Sequence, residues 1–471
     1  MSENINLIKS LKGRFNNYLL ENEKLKTVID LALNIRCSDI YITEWKTIQY
    51  KKNWIINLTE DMIPNESTLK ANVTHQDFQD FLKCILTAEE DIDILINTLN
   101  ELKSFDYWIW YKFTHTKPIN KDWEKPEIVT EDIRLRLNFI NTVNWIMLTI
   151  RPLLNIGLTY DKLTSLEWAI NLWKKLISDI NDDPFKQRKE EALSKIKDME
   201  RISKIIKSDF SRSSWLILVT WSTWEWKSTL VTSLIEDILE NTDKHILTLE
   251  DPIEYIFKPV RGKVTQIEIG SHIESFSSWI RGSKRENPDI VYIQEIRDKQ
   301  SAQALIELLW SGVLVITTLH TWSVSETIDR LIWLMSEETN QEYIRTYISR
   351  QLISIINQKL IYINNNWKIV TKWVQEYLHL SSGTRKNIIN NEINQLESGL
   401  LESNPPNKSM TKLLWYFYVL WIIPITDLLQ NITNIGTLEA LLKDEIKYVK
   451  PSDIDELLVF LGVNKIDDLK F

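Results

Sequence analysis

The sequence predicts an α/β protein. A parallel-sheet domain fills its second half, an α+β domain precedes it and a helical region follows. Three observations predict this. Four apolar runs, 215–220, 245–249, 290–294 and 313–319, alternate with helical segments, the mark of parallel strands covered on both faces. The stretch "LILVTWSTWEWKSTL" (216–230) passes from β-branched strand through a polar turn into a helix opening at Lys227-Ser228, the order of a phosphate-binding loop. The first 150 residues mix period-two alternation with helical stretches.

Taken in order, residues 4–35 carry helical periodicity and 38–58 alternate as strands. Residues 75–103 are helical and acidic, and the sheet resumes through 105–113 and 133–153. These make an N-terminal α+β domain, 1–160. Residues 161–213 read as a linker with a charged helical insertion. Within it 182–210, of mixed sign and modest apolar content, reads as linker or exposed helix. The P-loop core spans 214–340, a helical C-terminal region 341–430, and an acidic helical extension 431–471.

The bulk properties bound the class. A formal net charge of −9 over 471 residues gives no basic field for nucleic acid. Two cysteines, Cys37 and Cys84, exclude a four-cysteine zinc site and fit a reducing compartment. The opening "MSENINLIKSLKGRF" has no apolar signal core, and the longest apolar run, 413–425, is too short to span a bilayer. The expectation is a cytoplasmic protein without direct membrane insertion.

One feature of the composition bears on the loop. The chain has 20 Trp and 10 Gly. Ordinary usage predicts about 33 glycines at this length, close to the two counts together. Asn53-Trp54, Asn144-Trp145 and Asn366-Trp367 each stand between β-rich runs, where Asn-Gly is the strong hairpin signal because both turn residues need φ > 0. Trp421 stands where a helix should end, with Pro424 beyond, the place of a C′ glycine. A phosphate loop wants glycine at 221 and 226, and both hold Trp, with a third indole at Trp224. The reading is that many or all of these tryptophans stand for glycines, as they would in a lineage that reads UGA as glycine. The alternative is a Trp-rich chain with a degenerate loop.

With glycine restored, Trp221, Ser222, Thr223, Trp224, Glu225, Trp226, Lys227, Ser228 and Thr229 form a complete phosphate loop. Backbone N–H groups and the helix N-terminus cradle the phosphates, Lys227 reaches the β- and γ-phosphates, and Ser228 holds Mg²⁺. With indoles present, the backbone approach is blocked. "LTLEDPIEY" (247–255) bunches Glu250, Asp251 and Glu254 at a strand end, where ligands of parallel sheets sit. A solvated acidic loop would look the same. "ENPDIVYIQEIRD" (286–298) delivers Glu295 at the end of an apolar strand, with Arg297 and Asp298 behind it, suited to polarising water or completing a Mg²⁺ shell. His320 closes the run "VLVITTLH"; a lone histidine is more often structural, but four strands ending in Lys/Ser, Glu, Glu and His at one edge shift the balance.

These four boxes, in this order, resemble the secretion ATPases of type II and type IV pilus systems, and most closely PilT-like type IV pilus retraction ATPases. "CSDIYI" and "IRLRLNF" resemble the family's N-terminal domain; 348–362 and 408–429 resemble its helical C-terminal region. The resemblance spans roughly 36–430, outside 75–103 and 182–210, which look like insertions. It implies a RecA-like core behind a PAS-like N-terminal domain, a homo-hexameric ring, and ATP with Mg²⁺ held between domains and subunits. By position it implies Glu254 and Glu295 as the water-activating pair, with Glu295 also beside the metal, and His320 as a γ-phosphate sensor. Arg134, Arg136 and Arg151 correspond to arginines that reach the phosphates; Arg281 and Arg285 are similar candidates. The implied function is a motor that couples ATP hydrolysis to pilus retraction, as in twitching motility. Its implied partners are an inner-membrane platform protein and other pilus ATPases at the inner face of the plasma membrane. A pilus extension or type II secretion ATPase and a catalytically inactive ring subunit are the alternatives. The missing four-cysteine zinc insert leans towards retraction. Gln294 stands where the family usually has glycine, and Val313 where a second histidine is common; neither is a Trp.

Overall fold

The computed structural model describes residues 14–16, 19, 22–34, 37, 39–44, 46, 48–52, 55–57, 73–88, 90–116, 128–142, 145–153, 159–177, 186–221, 227–269, 272–273, 279, 282–283, 285–335, 340–365, 368–400 and 407–463. The chain divides into two units, Met1–Gly157 and Leu158–Phe471.

In the first unit, helix α1 (Glu23–Asn34) buries Leu25, Val28, Ile29, Ala32 and Leu33, the stripe that a 3.6-residue period produces. Strands β1 (Asp39–Thr43), β2 (Gln49–Lys52) and β3 (Ile55–Asn57) follow. Next come α2 (His75–Ile85), closed by a capping box between Thr74 and Asp77, and α3 (Asp91–Leu102). Three longer strands complete an antiparallel sheet: β4 (Ser104–Thr116), β5 (Ile128–Asn141) and β6 (Ile146–Leu153). The order is β3-β2-β1-β6-β5-β4. Period two decides its faces: Ile133, Leu135, Leu137 and Phe139 go into the core, while Arg134 and Arg136 take the other face.

The second unit opens with α4 (Tyr160–Thr164), α5 (Glu167–Ile177), α6 (Lys186–Glu200) and α7 (Ile202–Phe210). The segment expected as a linker or exposed helix has a buried face. On α6, Ala192, Leu193, Ile196 and Met199 join the core of the C-terminal helices. Four apolar residues at helical spacing suffice for that stripe, however charged the rest of the helix is.

Then β7 (Trp215–Trp221), α8 (Lys227–Asn241), β8 (His245–Glu250), β9 (Lys263–Glu268), β10 (Ile290–Ile293), α9 (Lys299–Trp310) and β11 (Leu314–His320) alternate, followed by α10 (Val324–Met335) and α11 (Gln341–Gln351). The four apolar runs are strands, buried through Leu216–Val219, Ile246–Leu249, Ile290–Ile293 and Leu314–Leu319.

Residues 341–430 were expected to be mostly helical, and here the structure corrects the sequence. Two of the longest strands lie there, β12 (Leu352–Asn365) and β13 (Lys368–His379). A run buried on both faces, such as Leu352–Ile356, has no period to separate strand from helix, and its isoleucines decide for strand. The sheet order is β13-β12-β7-β11-β10-β8-β9, parallel except for the β12–β13 hairpin. Helices α12 (Ser382–Ile389), α13 (Met410–Val419), α14 (Ile425–Asn431), α15 (Ile435–Glu445) and α16 (Ile454–Leu461) follow. Leu438, Leu442 and Leu457 of the extension pack into the same core as α13.

Register bears on the Asn-Trp pairs. Lys52 pairs with Ile55 and Asn365 with Lys368, so the paired strand ends are separated by two residues of sequence in each case. Asn141 pairs with Ile146 across a four-residue loop. Residues 53–54, 144 and 366–367 themselves lie outside the described residues. Elsewhere the backbone can be read directly. Trp421 has φ +59° and Trp215 φ +93°. At α13 the Ile422 N–H donates to the Phe417 carbonyl and the Trp421 N–H to that of Tyr418, the paired bonds of a Schellman stop with Trp421 at C′. The α16 stop makes the same pair, Val463 to Leu458 and Gly462 to Val459, with glycine at C′ and φ +70°.

Candidate functional site

Parallel register sets the chemistry-bearing strand ends side by side. Ile293 lies opposite both Leu249 and Thr317, so Glu250, Glu295 and His320 all follow the carboxyl edge of the sheet. His320 is the register partner of Trp221, the last residue of β7 before the loop. Ligands of such sheets collect at this edge.

The Glu295 carboxylate, mostly buried, lies between two nitrogenous groups. His320 Nε2 is 3.2 Å from one oxygen and the Arg297 Nε donates to the other at 2.9 Å. Arg297 also reaches the Asp251 carboxylate at 3.5 Å. Below them the Tyr292 phenol is buried, and its pKa is pushed well up, first by burial and then by Glu250, Glu254 and Glu295. Glu250 is 4% exposed. Burial raises its pKa to about 7, against the lowering effect of the Thr248 hydroxyl and the Gln266 amide that it accepts from.

The loop that carries Glu254 hangs on neighbouring strands. Glu268 accepts from the Ile253 N–H at 3.0 Å and Gln266 from that of Phe257 at 3.0 Å, while Gln266 donates to the Tyr255 carbonyl at 2.8 Å. From β10, Gln294 accepts from the Asp251 N–H at 2.6 Å and donates to the Pro252 carbonyl at 3.1 Å.

The structure thus brings Glu295 and His320 together, with Glu254 on a tethered loop nearby. Helix α8 begins at Lys227, as the loop grammar requires, and Thr229 is half-buried in its first turn. Ser222–Trp226, and the side chains of Trp221, Lys227 and Ser228, lie outside the described residues. In the first unit Arg134, Arg136 and Arg151 share one sheet face, Arg136 directly opposite Arg151. Arg136 forks onto Asp106 with two bonds of 3.0 Å, and Arg151 donates to Asp39 at 2.7 Å. Arg285 is exposed and Arg281 lies outside the described residues. Sequence reasoning gave no role to Tyr292 or to the Arg297 clamp; the only advance signal was their place in the Glu295 box.

Among the described residues no cluster of three or more His, Cys, Asp or Glu could hold a metal ion. Two buried hydroxyls, Thr220 beside the loop and Thr317 on β11, have no hydrogen-bond partner. The strand edge, the helix start and the donor set fit a nucleotide with Mg²⁺; an indole at 221, 224 or 226 does not. Among the described residues no helix is long and apolar enough to cross a membrane.

Comparison with known proteins agrees with this arrangement. Residues 185–392 match the family "Type II/IV secretion system protein". A twitching motility protein of Neisseria gonorrhoeae is 31% identical over 39% of this chain and 49% of its own length. The type IV pilus retraction ATPase PilT of Pseudomonas aeruginosa is 38% identical over 31% of this chain and 42% of its own. The chain thus spans under half the length of these relatives. Among solved structures, the pilus retraction motor PilT with bound ADP superposes with a TM-score of 0.61 at 23% identity, covering 89% of this chain and 98% of that one. The ATPase DotB of Legionella pneumophila gives 0.60 at 20%, covering 88% and 98%. At such identities the likeness shows the fold. The comparisons support kinship with the PilT-like type II/IV secretion ATPases, and residues 185–392 carry it.

Proposed function

We propose that this chain is the ATP-hydrolysing subunit of a homo-hexameric motor that retracts a type IV pilus, with glycine in the cell at 221, 224 and 226. The observation that carries the reading is Glu295 held between His320 and Arg297, at the edge where β7 ends and α8 opens with Lys227. Similarity to retraction and twitching proteins supports retraction over the extension and secretion alternatives. The glycine assignment is supported by Trp421 in a Schellman C′ position and by Trp215 at φ +93°. It is also supported by the two-residue spacing between the paired ends Lys52 and Ile55, and Asn365 and Lys368.

In this reading Lys227 and the amides of 221–229 hold the β- and γ-phosphates, and Ser228 and Glu295 face Mg²⁺, which neutralises charge on the transferring phosphoryl group. Glu254 and Glu295 orient and deprotonate the attacking water, and His320 reads the γ-phosphate. Arg134, Arg136 and Arg151 reach the phosphates on domain closure, and successive closures drive a platform protein at the inner face of the plasma membrane, alongside other pilus ATPases.

The test uses full-length chain with glycine at 221, 224 and 226. It should bind ATP and turn it over, and Lys227→Ala should abolish turnover. Intact mass of the protein from its own host decides the residue assignment: indole at those three positions would sink it. A second reading, an inactive ring subunit that binds nucleotide without turnover, is favoured only by Gln294 before the proposed catalytic glutamate.

A further inference from the structure

Gln294 sits where glycine is usual in the proteins this chain resembles, and a side chain there has to be accommodated. The structure shows what it does. Its main chain is fixed from both sides: its N–H donates to the Leu249 carbonyl of β8 at 2.9 Å, and the Thr318 hydroxyl of β11 donates to its carbonyl. A residue anchored that way is a rigid base for an arm. The arm crosses to the loop after β8 and reads its backbone twice, Oε1 accepting from the Asp251 N–H at 2.6 Å and Nε2 donating to the Pro252 carbonyl at 3.1 Å. These are a donor and an acceptor that strand pairing leaves behind at the end of β8, and glycine would satisfy neither.

The two groups so joined carry the two carboxylates of the proposed chemistry. Glu295 is the next residue after Gln294, and Glu254 is two residues beyond Pro252. On the other side Gln266 and Glu268 hold 253–257 to β9. Among the described residues, the tether left on the Asp251-Pro252 segment without Gln294 would be the exposed 3.5 Å contact of Arg297 with the Asp251 side chain, which solvent weakens. We infer that Gln294 is a positioning residue that fixes the Glu254 loop against the Glu295 strand, setting the spacing of the two carboxylates before nucleotide arrives. It touches neither substrate nor metal in this role. A carboxylate pair held in advance does not have to be ordered during the chemical step.

The inference rests on the ATPase reading for its kinetic consequence and on hydrogen bonding alone for its structural one, so the experiment reads both. Full-length chain with glycine at 221, 224 and 226 is compared with Gln294→Gly and with Gln294→Met, which keeps the length and volume of the arm and loses both bonds. Amide exchange at 251–257 should quicken about tenfold in each variant, the loss expected for one to two hydrogen bonds. The kcat should fall about tenfold with KM changed less than about twofold, the split expected when ground-state binding is untouched. A Gln294→Met protein that retains parental exchange protection, or retains parental kcat with its protection lost, overturns the inference. If the parent itself shows no turnover, the ATPase reading fails and exchange alone decides: unchanged protection refutes the staple, and accelerated exchange upholds it.

Discussion

At the scale of single residues, Glu250 shows how burial writes a pH dependence into the fold. Its carboxyl titrates near 7 in the folded protein against an ordinary 4.5, because burial outweighs the Thr248 and Gln266 hydrogen bonds. Between those two values the unfolded chain has lost the proton and the folded chain keeps it. Stability therefore falls as pH rises from about 4.5 to 7, by on the order of 3 kcal/mol from this group. Glu376, buried on β13, is raised to about 7, again chiefly by burial, and acts in the same direction. Glu250→Gln keeps an oxygen for both donors and removes the charge. Urea unfolding of the variant should show a flatter pH profile from 4.5 to 7.5, with its largest gain over the parent at the upper end. A variant that tracks the parent across that range would contradict this account of the group's burial.

At the scale of elements, what was legible in the sequence followed from periods and end signals. The strands β7, β8, β10 and β11 were readable because an apolar run bounded by polar turns has one economical explanation in an alternating chain. Glu295 and His320 could be placed for the same reason, since a residue at the end of a buried strand must come out at the sheet edge. The hairpin at Leu352–His379 was legible only at its turn, where Asn366-Trp367 stands between β-rich runs, because the sheet halves of both strands are buried and show no alternation. The tether of the Glu254 loop was hidden too, since a side-chain-to-backbone bond such as Gln294 to Asp251, 43 residues apart, leaves no local pattern. End signals can also be tested. A bulky residue at C′ of α13 sits in a backbone region that costs L-residues roughly 1–2 kcal/mol, a strain that the Trp421 indole, 39% exposed, has to offset through the part it buries. In protein made with tryptophan, Trp421→Gly should raise the melting temperature by the equivalent of about 1 kcal/mol. A lower melting temperature would show that the indole belongs to the packing of Lys189 and Lys450, whose ammonium groups lie over its ring.

At the scale of the whole molecule, the cores are separate. One cluster, from Phe15 to Ile150, is drawn entirely from Met1–Gly157, and the remaining three lie wholly within Leu158–Phe471. Among its described residues the first unit has what autonomy requires: six strands, three helices packed over one sheet face, and a core that includes Leu25, Ile40, Phe81, Leu135 and Ile150. Its other face holds arginines that already have carboxylate partners, Arg136 with Asp106 and Arg151 with Asp39, so these charges are compensated within the unit itself. A fragment of residues 1–157 should therefore unfold in urea as one cooperative transition and give dispersed amide resonances. Collapsed, undispersed spectra from that fragment would mean that the sheet depends on the second unit for its fold. In that case the ion pairs on its arginine face would lose their standing as the reason it tolerates so much positive charge.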